Sequence, residues 1–211
     1  MNAFVYKDLM VLKSISKSYI LLLTMFAALS LTGVYDATMF AGVCVMILIL
    51  LPITTAAYDE QAGWDKFAAV TPSGRGGVVR GKYLFVLLMA GAGALFVTVF
   101  YAAGSLVMPE KISLAEGLVS GVACIVVGLL ISSLFLPLIL KYGTQKSRIL
   151  LMVVAVAMSF VAFGVVALIK KCGLDIERAA IPAAIMLPIL TAAAMCVSYK
   201  VSCRIFKNKE L

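Results

Sequence analysis

The run Gly76-Gly77-Val78-Val79-Arg80-Gly81-Lys82 has the spacing G-x-x-x-x-G-K, the core of a loop that cradles phosphates with backbone N–H groups and a lysine. A working loop of this kind needs Ser or Thr next, to hold Mg²⁺, and Tyr83 stands there instead. It also needs a strand before it and a soluble helix after it. Here a polar surface stretch precedes and a long apolar run follows, so the spacing is read as coincidence and no nucleotide site is assigned to this chain. The sequence has no histidine, which removes His-based acid–base work, His metal sites and serine–histidine nucleophiles. H-E-x-x-H, C-x-x-C and G-x-S-x-G patterns are absent. The five cysteines are an odd number; Cys44, Cys124 and Cys196 fall inside apolar runs, Cys203 near the end of one and Cys172 in a loop. They read as small apolar fillers and not as a disulfide framework or a metal cluster. Neither catalysis nor a cofactor in this chain is expected.

Polar residues that could do other work cluster at one place. Tyr58 to Lys82 is the longest polar interval, and it holds the only tryptophan, Trp64, together with Asp59, Glu60, Asp65, Lys66, Arg75, Arg80 and Lys82. At about 100° per residue, Tyr58 to Val70 forms one short helix with Trp64, Phe67 and Ala68 on one side and Asp59, Lys66 and Val70 on another. Thr71-Pro72-Ser73-Gly74 ends it, because Pro72 disfavours helix at Thr71 and glycine tolerates the turn. Such a helix offers aromatic knobs and charges to another protein.

The elements around that stretch are apolar. Hydrophobic residues make up 64% of the chain and charged ones 13%, against about 45–50% and about 25% in soluble domains. Several runs exceed the roughly 18 residues of a spanning helix. The expectation is an all-α, polytopic membrane protein in one domain. Spans fall at about 18–34, 37–57, 83–108, 117–140, 149–169 and 179–199, with 58–82 as the polar segment between the second and third. Residues 1–17 form an interfacial helix: Phe4, Val5, Leu9, Leu12 and Ile15 share one arc, and Lys7, Lys13 and Lys17 the other. Asp8 falls inside the apolar arc. Either the helix start tolerates it, which is the preferred reading, or it pairs with a basic residue such as Arg80 or Lys82.

Fourteen of the eighteen Lys and Arg residues fall on the N-terminal side of the membrane in this layout, leaving only Lys111, Lys170, Lys171 and Arg178 opposite. The positive-inside rule then makes both termini and 58–82 cytoplasmic. The same bias accounts for the net charge of +8 through lipid headgroups, so no nucleic-acid partner is inferred. No charged group lies near the middle of a span, which leaves a proton- or sodium-coupled pump nothing obvious to work with. Interior hydroxyls such as Thr24, Thr98, Ser105, Ser133 and Thr191 are expected to bond back to their own helices. Gly117 and Gly121, and Ala90 and Ala94, allow close helix approach, either within one subunit (preferred) or at a seam between two. Methionines such as Met25, Met46 and Met152 give only a hint of an amphipathic substrate.

The run Tyr58-Asp59-Glu60, Gly63-Trp64-Asp65-Lys66-Phe67, Thr71-Pro72, then Gly81-Lys82-Tyr83 resembles the small ABC-2-type permeases of bacterial ABC exporters, and the order of spans extends the resemblance over the whole chain. In that family the segment after the second span is the coupling helix that touches the ATPase subunit. The resemblance implies a cell-membrane permease, paired with a second copy or a relative, that exports an amphipathic or hydrophobic peptide of toxin or bacteriocin type. ATP and Mg²⁺ would be bound by the partner ATPase. It assigns ATPase coupling to Tyr58, Asp59, Glu60, Trp64, Asp65, Lys66 and Phe67, with Trp64 and Phe67 as anchors. The alternative is a non-pumping membrane scaffold or immunity protein that binds a toxic peptide or membrane partner; a membrane enzyme is remote.

Overall fold

The computed structural model describes residues 3–69, 74–108, 112–171 and 176–208, without the side chains of 65, 66, 69, 151, 155, 157–159, 161–171 and 176–185. Six helices account for nearly all of it: α1 (Ala3–Leu31), α2 (Ala37–Gln61), α3 (Trp64–Ala69), α4 (Gly74–Val107), α5 (Leu114–Lys171) and α6 (Ile176–Lys207). No strand occurs among the described residues. Five segments there are long and apolar enough to cross a membrane: Ala3–Leu31, Ala37–Gln61, Gly74–Val107, Leu114–Leu150 and Met186–Lys207. The span expected at 149–169 falls on the second arm of α5, and most of its side chains lie outside the described residues. So does the expected break at Thr71-Pro72.

Four expectations need correction. The interfacial helix and the first span are one helix, α1. Its apolar arc faces protein at the first turns, where Phe4 and Val5 are buried. Gly81 makes this possible: a Cβ there would lie 2.6 Å from Phe4 Cβ, so a larger residue on α4 would lift α1 away. The third span's helix starts at Gly74 and not near Tyr83. Its glycine-rich beginning is helical because Val78, Val79, Lys82 and Tyr83 are buried, and packing overrides the poor propensity. The Tyr58–Val70 helix is instead two pieces. α2 runs on to Gln61, and Gly63, at φ 61°, turns the chain before α3. Finally, the interval left between the spans expected at 117–140 and 149–169 is no loop. Helix continues on both sides of a kink at Gly143, whose φ 78° and ψ 173° only glycine adopts readily.

The core is layered along the helices. At one end Phe4, Val78, Val79, Tyr83, Val86, Leu136, Leu140 and Phe206 pack with Ala68 of α3. Further along, Phe40 stacks on Phe100 at 4.0 Å among Leu48, Val97, Tyr101 and Cys124. Gly117 and Gly121 are used here, inside the subunit: added Cβ atoms would collide with Tyr101 and Thr98 of α4. Thr24, Thr98, Ser105, Ser133 and Thr191 donate to carbonyls of their own helices, three or four residues back.

Candidate functional site

The polar residues of the chain meet at the end of the bundle that holds α3. The last turn of α2, the first turns of α1 and α4, the kink in α5 and the end of α6 all converge there.

At its centre is a closed ring of four charges. Lys82 Nζ lies 3.1 Å from Asp8 Oδ1 and 2.7 Å from Asp59 Oδ2. Lys7 Nζ lies 3.2 Å from Asp8 Oδ1 and also pairs with Asp59. Each cation therefore touches both anions, and each anion both cations. Lys82 donates hydrogen bonds to Asp8 and, at 3.3 Å, to Thr55 Oγ1. Its approach to Asp59 Oδ2 is close but poorly aligned for a hydrogen bond, so that side of the ring is held by charge. Asp8, Asp59, Lys82 and Thr55 are buried, and Lys7 is half-buried. The ring joins α1, α2 and α4. Asp8 is thus paired, the less favoured of its two sequence readings. Lys82 is occupied by carboxylates in the third turn of a helix, so G-x-x-x-x-G-K forms no loop here.

A second device lies beside the ring. Glu60 reaches the kink in α5, accepting hydrogen bonds from Thr144 N at 2.8 Å and from Thr144 Oγ1 at 2.5 Å. The chain after Gly143 starts a new helical arm with free N–H groups, and the Glu60 carboxylate meets one of them and suits the arm's positive end. A Cβ on Gly143 would lie 2.6 Å from Glu60 Oε1. At the far side, Arg75 Nη1 donates to Lys207 O at 2.5 Å, tying the start of α4 to the end of α6. Tyr83 OH meets Ser198 Oγ at 2.6 Å and Ser202 Oγ at 2.8 Å, a second α4–α6 tie.

α3 stands over the ring. Trp64 packs inward against the core beside α3, with Lys7 Nζ 5.1 Å from its ring centroid, in reach of a cation–π contact. Phe67 contacts Trp64 at 5.3 Å between centroids yet is 60% exposed. Tyr58 is 46% exposed. Of the seven residues singled out in the sequence, then, Tyr58 and Phe67 face outward, Trp64 faces inward, and Asp59 and Glu60 are engaged within the chain. The side chains of Asp65 and Lys66 lie outside the described residues. Lys7, Thr55, Gly143 and Thr144 were missed. Gly143-Thr144, a helix breaker followed by a hydroxyl residue, was the one legible signal among them.

Over residues 3–207 the chain matches the family model described as ABC-2 family transporter protein. The chain belongs to that family. Comparison with curated proteins and with solved structures finds no match. Membership makes this an integral membrane transport component, of a kind that associates with an ABC ATPase and is generally not itself catalytic.

Proposed function

We propose that this chain is the permease subunit of an ATP-driven exporter, and that a separate ABC ATPase docks on α3. The observation that carries the reading is α3 itself. It is a six-residue helix between α2 and α4, with Phe67 exposed on one side and Trp64 packed on the charge ring on the other. An exposed aromatic backed by a rigid support is what a hot-spot contact needs. Tyr58 extends the same contact, and Asp65 and Lys66 set its orientation. ATP and Mg²⁺ are bound by the ATPase in this reading, since the one phosphate-loop spacing here is helical and its lysine is paired.

The permease crosses the membrane six times, with the second arm of α5 as the fifth span, and pairs with another copy or a relative. Both termini and α3 face the cytoplasm. Lys141 and Arg204, with Ile205 and Asn208, line an open cavity of about 420 Å³ at that end, a suitable seat for anionic lipid headgroups. The cargo is an amphipathic or hydrophobic peptide, the class that the family resemblance suggests.

The test is reconstitution. The permease, co-expressed with its cognate ABC ATPase, is expected to copurify with it, and amphipathic peptides are expected to stimulate ATP hydrolysis by the complex in lipid vesicles. Stable insertion with no ATPase bound would leave a non-pumping scaffold as the better account. ATPase binding without peptide stimulation would remove the cargo class alone.

A further inference from the structure

The four-charge ring is unnecessary as glue. Taking charges out of water is costly, and apolar residues of similar volume hold helices together as well or better. What a ring offers instead is a defined way to come apart. Its members are divided unevenly among the helices: Lys7 and Asp8 on α1, Asp59 on α2, Lys82 on α4.

Consider each helix leaving in turn. If α4 withdraws, it carries off a lone cation and leaves a net negative charge behind. If α2 withdraws, it carries off a lone anion and leaves a net positive charge. If α1 withdraws, both halves stay neutral and paired: Lys7 with Asp8 at 3.2 Å on α1, and Lys82 with Asp59 at 2.7 Å between α4 and α2. Only this opening leaves no charge without a partner in a poorly solvated place. The contact from α3 falls on the same half, since Trp64 lies over Lys7.

We propose that the ring is a latch that parts along one seam, releasing the first turns of α1 from a fixed α2–α4 pair when the ATPase moves α3; this rests on the docking of the ATPase at α3. Lys7 and Asp8 are the moving half, and Asp59 and Lys82 the stationary half. Trp64 connects the docking surface to the moving half. The latch is closed in the conformation described here.

Single-cysteine chains, with native cysteines replaced, test it by modification with a charged, impermeant methanethiosulfonate. Val5 on α1 is 2% exposed and Thr55 on α2 is fully buried. With the ATPase bound, ATP plus vanadate is expected to speed modification of V5C by about tenfold, the scale of a modest population shift, and to leave T55C slow. The charge-balanced variant Lys7→Met/Asp8→Asn, which removes the moving half and its contact with Trp64, is expected to keep V5C slow with and without nucleotide while ATPase binding persists. A merely structural ring would give no nucleotide dependence in either chain.

A third probe, F67C, separates the two ideas. Protection of F67C by the ATPase, with V5C unchanged by nucleotide, overturns the latch and leaves the docking site standing. Acceleration at T55C equal to that at V5C overturns the seam. Failure of the ATPase to protect F67C removes the docking site and the latch with it.

Discussion

Lys82 touches carboxylates on two other helices, so its removal is asymmetric. Lys82→Met leaves Asp8 and Asp59 to share Lys7, with one negative charge in excess and buried. Breaking a buried ion pair on one side costs about 3–5 kcal/mol, and thermal unfolding of the permease in detergent is expected to show a loss on that scale. Lys82→Met/Asp8→Asn restores neutrality, leaving the Lys7–Asp59 pair, and is expected to recover most of the loss. Equal melting of the single and double variants would mean that charge balance is not what holds the site. Gly143→Ala is the second residue-scale change. It forces a Cβ into a glycine-only conformation and against Glu60, and the expected loss, by the same measurement, is about 1–3 kcal/mol. Little of this was readable. Asp8 stood out in the sequence as an acid on an apolar arc, but its partner is 74 positions away. Periodicity assigns a face and says nothing of which helix covers it. Lys82 was visible as the end of a phosphate-loop spacing and, with Arg80, as one of two candidate partners of Asp8, between which local sequence could not choose.

α3 was legible as a surface helix but not as a separate one. The run from Tyr58 to Val70 has continuous helical character, and the break at Gly63 depends on one residue at positive φ. Because of that break Trp64 and Phe67 point differently from how a single helix would carry them. Their substitutions should differ accordingly. Phe67→Ala removes an exposed ring and is expected to leave insertion and melting unchanged while weakening ATPase association by about 2 kcal/mol, the scale of a hot-spot aromatic. Copurification at graded ATPase concentration measures it. Unaltered association would move the contact away from Phe67. Trp64→Ala, by contrast, should lower the permease's own melting temperature, because the indole packs against the subunit's core. The long elements were the easiest to anticipate. Their apolar runs set the helices, and errors gathered at the ends, where Gly81 and Lys82 extend α4 by burial that no local pattern announces.

Taken as a whole, the chain gathers 4–8, 59–69, 75–82, 143–144 and 204–208 at one end of the bundle. That arrangement gives the charge bias of the sequence a three-dimensional form. Gly76 is exposed, and a Cβ there would meet nothing within 4 Å, so Gly76→Cys is a harmless reporter. In a background without native cysteines it is expected to react with an impermeant maleimide only in inside-out vesicles. Reaction in intact cells would invert the topology. The glycine pair of α5 bears on pairing of subunits. Gly117 and Gly121 are spent on α4, so the pairing of permeases proposed above would have to use other residues.

The length of α4 has one more consequence. From Lys82 to Val107 at about 1.5 Å per residue the helix spans about 38 Å, longer than a hydrocarbon layer of about 30 Å. With Val107 at the opposite boundary, the ring lies among headgroups, just clear of the acyl chains. Lipids with longer tails would raise hydrocarbon to the level of Lys82 and Asp8, where neutral pairs survive but separated ones are penalised. Thicker bilayers would therefore discriminate against every opening but the one along α1. Stimulated ATP hydrolysis in vesicles of monounsaturated phosphatidylcholine is expected to hold as tail length grows, because that opening leaves two neutral pairs, and to fall in Lys82→Met, whose ring keeps an unpaired charge.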